Sequence, residues 1–107
     1  MTPDQWATFG RLVGWLDAEN GTGEHERSMR LIKLTEEVGE VSQAYVGMVG
    51  QNPRKGVTHT AADVADELCD VIVTAAVALH GFTDDPAGTL AAKLDAVAAR
   101  SLPPLQP

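Results

Sequence analysis

Residues 24–49 read EHERSMRLIKLTEEVGEVSQAYVGMV, and the spacing of the apolar side chains predicts one long helix. Leu31, Leu34, Val38, Val41, Tyr45 and Met48 follow each other in steps of three and four. That spacing lines them along one side of an α-helix. Gly50 and Asn52-Pro53 end the pattern, and Gln51 to His59 reads as a polar loop containing Arg54, Lys55 and Gly56.

Working outward, a third helix is expected from Ala61 to His80, with Thr60 as N-cap, Asp63 close to a capping-box position and Gly81 as C-cap. A first helix is expected from Pro3 to Glu19. Thr2 caps it, Pro3 takes the first helical position, and Trp6, Phe9, Leu12, Val13 and Leu16 fall at helical spacing. Asn20 to Gly23 reads as a turn. A fourth helix runs from Pro86 to Arg100 behind Asp85 as N-cap. No run alternates as a half-buried strand does. The expected architecture is all-α, a four-helix, bundle-like domain over residues 1–101 with a proline-rich tail over 102–107.

The third helix predicts a partner. Between Leu68 and Leu79 only Asp70 is charged, and apolar residues occur at every angle. A helix apolar all round is buried all round, and three other helices in one short chain can hardly cover it. A second subunit is expected to pack against it.

Composition narrows the function. The chain has 107 residues, enough for one domain, and 44% of them are hydrophobic, which excludes a disordered polymer. Its 15 acids against 8 bases leave a net charge of −7. That argues against a nucleic-acid polymer as partner, since such a binder needs a basic face. A small anionic substrate stays open if metal ions reverse the local charge. One cysteine, Cys69, allows no internal disulfide. No signal peptide is recognisable, and the apolar run Val71 to Leu79 is too short to span a bilayer. The expectation is a cytoplasmic protein with no membrane partner.

The chemistry lies in two carboxylate pairs. Glu37 and Glu40 are three apart on the second helix, as are Glu67 and Asp70 on the third. Three residues turn a helix to within roughly 60° of a full turn, so each pair projects to one side. Glu37 and Glu40 alone would read as solvated acids. Asp70 lies among Leu68, Cys69, Val71, Ile72 and Val73, where an uncompensated charge is expensive, and its helix contains no lysine or arginine. A buried Asp70 compensated by a divalent cation between the two helices is the expectation, with Cys69 as a buried small hydrophobe. An all-carboxylate set suits magnesium or manganese. Helical di-iron proteins use Glu-x-x-His, and no histidine follows these glutamates at that spacing.

Leu34-Thr35-Glu36-Glu37-Val38-Gly39-Glu40-Val41, followed by Asp66-Glu67-Leu68-Cys69-Asp70-Val71, resembles the MazG-like branch of the all-α nucleoside triphosphate pyrophosphohydrolases. That superfamily, which includes dimeric dUTPases and dCTP pyrophosphatases, carries Glu-Glu-x-x-Glu, a loop, then Glu-x-x-Asp. The match covers roughly the central half of the chain. The resemblance implies hydrolysis of a nucleoside triphosphate to monophosphate and pyrophosphate, in nucleotide-pool house-cleaning. It implies magnesium ligands at Glu37, Glu40, Glu67 and Asp70, and a homodimer or dimer of dimers.

Glu36 lies four before Glu40, and either orients or deprotonates the attacking water, holds a metal-bound water, or is a solvated glutamate. Among the candidate phosphate-binding bases, Arg30 and Lys33 extend the acidic stripe toward the helix start, and for Lys33 a plain ion pair with Glu37 is the slightly favoured alternative to a phosphate contact. Arg54 and Lys55 sit in the loop between the motif helices, where a lid could close on a triphosphate. Lys93 and Arg100, seven apart on the fourth helix, are the preferred phosphate-binding pair, because the family often places bases on its last helix. Trp6 and Trp15 read as core or dimer contacts, one of which could stack on a base. Tyr45 reads as core. His25, His59 and His80 form no cluster. Gly39, costly in mid-helix, is expected at a close approach of helix or ligand. The competing hypothesis is a non-catalytic helical dimer whose carboxylates bind a structural or regulatory divalent metal.

Overall fold

The computed structural model describes residues 1–105 and contains four α-helices: α1 (Pro3–Asn20), α2 (Glu24–Val49), α3 (Ala61–Leu79) and α4 (Pro86–Ser101). Among the described residues there is no strand, and no helix is long and apolar enough to cross a membrane. Leu102 to Leu105 of the expected tail are non-helical and exposed, and its last two residues lie outside the described ones.

The helix ends follow local chemistry. Thr2 Oγ1 accepts from the Gln5 N–H at 3.1 Å while Gln5 Oε1 accepts from the Thr2 N–H at 2.8 Å. Thr60 and Asp63 form the same reciprocal box on α3, and Asp85 Oδ1 accepts from the Gly88 N–H at 3.0 Å on α4. Each box satisfies backbone donors that the first turn leaves free. Gly50 ends α2 in the left-handed region at φ 64°, which a glycine adopts without strain. The expected cap at Gly81 is corrected: α3 ends a residue earlier, and its C-cap is His80 in right-handed conformation. The His80 ring meets the Ala76 carbonyl at 2.8 Å, and the Gly81 N–H bonds the Ala78 carbonyl at 3.0 Å, so the last turn closes without a left-handed residue.

α2 and α3 pair as an antiparallel hairpin. At one end the Thr58 N–H bonds the Gly47 carbonyl at 2.9 Å, and a Cβ on Gly47 would collide with Thr58 Oγ1 and His59 Nδ1. At the other, Gly81 packs on the Arg27 side chain. The close approach within the chain that was one reading of Gly39 is found instead at Gly47, since a Cβ on Gly39 would meet nothing of the chain within 4 Å. α1 lies against α3, with Trp6 edge-on to Phe9 at 5.3 Å between centroids and tilted over His80 at 6.1 Å. Arg30 ties α1 to α2 by bonding Asp17 at 2.9 Å and Glu26 at 2.8 Å.

The core is thin: Phe9, Ala44, Ala76, Val77 and Ala78 are its buried hydrophobic members. The stripe expected on α2 is displaced by one residue. The buried positions Glu37, Ala44 and Gly47 each immediately precede a stripe member, leaving Val38 and Tyr45 exposed together with Leu31. Ala44 and Gly47 admit a close approach of the neighbouring chain because they are small, and Glu37 is buried on the same side. On α3, Leu68, Ile72 and Val73 are exposed, as expected of a helix too apolar for one chain to cover. A closed bundle within one chain is not what forms. α4 buries no residue, and the radius of gyration is 17.4 Å, against about 13 Å for a compact chain of this length.

Candidate metal centre

Glu37 and Glu40 from α2 meet Glu67 and Asp70 from α3. One carboxylate oxygen of each lies within 4.8 Å of the others. The i,i+3 spacing on each helix and the antiparallel pairing bring them together. Four like charges this close repel strongly in a partly desolvated place. Glu40 shows the strain: the neighbouring Glu37 charge, then burial and Glu67, push its carboxyl above the ordinary value of 4.5.

Burial falls differently from expectation. Glu37 is the buried acid, 8% exposed, whereas Asp70 and Cys69 are exposed in the single chain. The apolar neighbours of Asp70 in sequence point to other sides of α3, which is why sequence proximity misassigned it. Glu37 Oε2 and Glu67 Oε2 are buried and accept no hydrogen bond. Each such orphaned acceptor costs on the order of 1–3 kcal/mol, and more when charged. The one ion pair to the quartet among the described residues is Lys33 Nζ to Glu37 Oε1, at 3.2 Å. That contact, then Glu36, raises the Lys33 pKa above its ordinary value. One ammonium against four carboxylates leaves most of the charge uncompensated. The donor set is all oxygen and fits a hard divalent cation.

The other sequence candidates fall at varied distances from this centre. Glu36 is exposed, outside the quartet, and 3.8 Å from Lys33. Lys33 forms the ion pair favoured from sequence. Arg30 is engaged by Asp17 and Glu26, and the Arg30 hydrogen bond holds the Glu26 carboxyl below its ordinary value despite burial. Arg54 and Lys55 sit in a turn built on Asn52, and Lys55 lines a polar cavity of about 160 Å³ with Gln43, Thr58 and His59. Its neighbour Gly47 is seven residues beyond Glu40, about 10 Å along α2. Lys93 and Arg100 are exposed on α4, and neither forms an ion pair among the described residues.

An apolar cleft beside Lys33 escaped the sequence reading. Leu12, Trp15 and Leu16 of α1 face Val73, Thr74 and Val77 of α3 across about 230 Å³. Trp15 is 60% exposed there, so it is no core residue of the single chain, whereas Trp6 is half-buried. The signal available in sequence was an aromatic, Trp15, on the flank of the α1 stripe.

No family model matches the chain, and comparison with characterised proteins and with solved structures gives no match.

Proposed function

We propose that this chain is a magnesium-dependent nucleoside triphosphate pyrophosphohydrolase. The observation that carries the reading is the quartet Glu37, Glu40, Glu67 and Asp70, converged within 4.8 Å with two buried oxygens left without donors. The resemblance of the double motif to MazG-like enzymes supports it.

Glu37, Glu40, Glu67 and Asp70 would hold magnesium, or manganese, between α2 and α3. Bound there, the cation supplies charge neutralisation for the triphosphate and a water of lowered pKa. The chain's own groups do the rest. Lys33 holds Glu37 in place through the 3.2 Å contact. Glu36, exposed beside it, takes a proton from the attacking water. Lys93, Arg100 and Lys55 are the bases proposed for the phosphates. The cleft under Trp15 receives the base by stacking, a contact worth about 1–3 kcal/mol. The products are a nucleoside monophosphate and pyrophosphate, in keeping with a nucleotide-clearing role in the cytoplasm.

The test is release of pyrophosphate from a panel of nucleoside and deoxynucleoside triphosphates, with and without magnesium. Metal-dependent release by the wild type, lost in Asp70→Asn, is expected. Metal binding with no hydrolysis of any triphosphate would replace this reading with a non-catalytic metal-binding dimer.

A further inference from the structure

The two oxygens of Glu37 are in different states. Oε1 takes the Lys33 ammonium at 3.2 Å, within hydrogen-bond reach. Oε2 is buried and has no donor. The Glu37 side chain is 11% exposed against 57% for Lys33, so the ammonium stands on the solvent side of a carboxyl whose other oxygen is closed off from water. Helix geometry fixes the contact. Lys33 lies four residues before Glu37, and side chains at that spacing stand one above the other. The Lys33 stem lines the cleft formed with Leu12, Trp15 and Val73, which keeps its charged head near the quartet.

No other member of the quartet is held in this way. Glu67 Oε2 is also buried without a donor, and α3 offers it no base. Among the described residues, neither Glu40 nor Asp70 forms an ion pair. Glu37 alone has one oxygen occupied and one left over.

That asymmetry bears on which cation the quartet prefers. Magnesium is small and octahedral, and it takes carboxylate oxygens singly while keeping several waters. Calcium accepts more oxygens at longer distances and often grips one carboxylate through both. With Oε1 engaged by Lys33, Glu37 offers Oε2 alone. A cation that took both oxygens would have to displace the ammonium or lie against it. Either is unfavourable at a carboxyl with so little access to water.

We propose that Lys33 is a positioning residue that sets the cation preference of the quartet. By occupying Oε1 it makes Glu37 a one-oxygen ligand, which favours magnesium over calcium. Lys33 acts through Glu37 and touches neither the cation nor the substrate in this role. The role rests on the quartet holding a divalent cation, as the hydrolase reading requires, and is independent of the reaction that follows.

The test is binding of magnesium and of calcium to the full-length wild type and to Lys33→Met, measured by calorimetry at neutral pH. Methionine keeps an apolar stem in the cleft and removes the ammonium. Loss of a nearby positive charge alters the affinity of two equally charged cations by the same factor, so a purely electrostatic Lys33 leaves their ratio unmoved. The expected result is a shift of the ratio toward calcium by about tenfold, the lower end of what a residue holding a metal ligand contributes. Lys33 also reaches Glu36 at 3.8 Å, so the same pair of measurements is made in a Glu36→Gln background, where the shift should persist. An unchanged ratio in Lys33→Met, or a shift abolished by Glu36→Gln, overturns the proposal. Failure of the wild type to bind either cation at millimolar concentration overturns the metal centre and this role with it. If the ratio shifts as expected but no triphosphate yields pyrophosphate, the hydrolase reading fails alone and the role of Lys33 stands.

Discussion

Glu37 is the residue on which the centre depends, because it is both buried and crowded. Its Oε2 has no donor, and its neighbour Glu40 is held above its ordinary pKa by that same charge. Replacing Glu37 by glutamine removes one of four repelling charges and provides a donor. The metal-free protein should then melt higher, by about 5 °C, corresponding to roughly 1 kcal/mol in a domain of this size. The stabilisation that magnesium or manganese gives the wild type should vanish in the same variant, as read by thermal melts with and without millimolar metal. The pH dependence follows from Glu40. Its folded pKa is raised, so its contribution in the metal-free protein is fully present below 4.5 and is lost as pH rises through the raised value. Metal-free stability, measured against Glu40→Gln, should therefore fall as pH climbs from 4.5 toward neutrality. Asp70→Asn keeps the shape and removes a ligand charge. It should lower metal-dependent pyrophosphate release by about 100-fold or more, the upper end of what disturbing the groups around a metal costs. Helix content and oligomeric mass should stay unchanged. Asp95→Asn on α4 should have little effect, and near-normal turnover in Asp70→Asn would refute the quartet as drawn.

At the scale of the elements, the two mid-helix glycines of α2 make opposite predictions. Gly47→Ala drives a methyl into Thr58 and His59, so the loop must move, and a loss of about 1–3 kcal/mol is expected. Gly39→Ala meets nothing within the chain and gains helix propensity, up to about 1 kcal/mol. Urea denaturation of both variants checks this, and destabilisation by Gly39→Ala would show that a second copy covers that face. Helix positions were legible because their signals are local. Thr2-Pro3, Thr60 with Asp63, and Asp85-Pro86 mark starts by backbone chemistry that needs no tertiary partner. Gly81 was misread because a terminal glycine permits a left-handed cap without requiring one, and His80 closes the turn instead.

For the whole molecule, the unburied α4, the exposed Leu68, Ile72 and Val73, and the open dimensions of 52 × 48 × 23 Å lead to one expectation. The protein should sediment as a dimer or larger at micromolar concentration, and Ile72→Glu should shift it toward monomer while α2 and α3 keep their helicity. A wild-type monomer would sink the proposed assembly. Sequence alone sufficed for the helix count, for the caps at Thr2, Thr60, Asp85 and Gly50, and for placing Glu37 with Glu40 and Glu67 with Asp70 on shared helix faces, because caps are local and periodicity says which side chains share a face. It could not say which face a neighbour covers. The inward side of α2 passes through Glu37, Ala44 and Gly47 and leaves out Val38 and Tyr45, because α3 approaches where side chains are small. Glu37 lies on that inward side and is the buried acid, Asp70 stands exposed on α3, and Trp15 borders an open cleft. Burial is a property of two surfaces in contact, and a single helix pattern describes one of them.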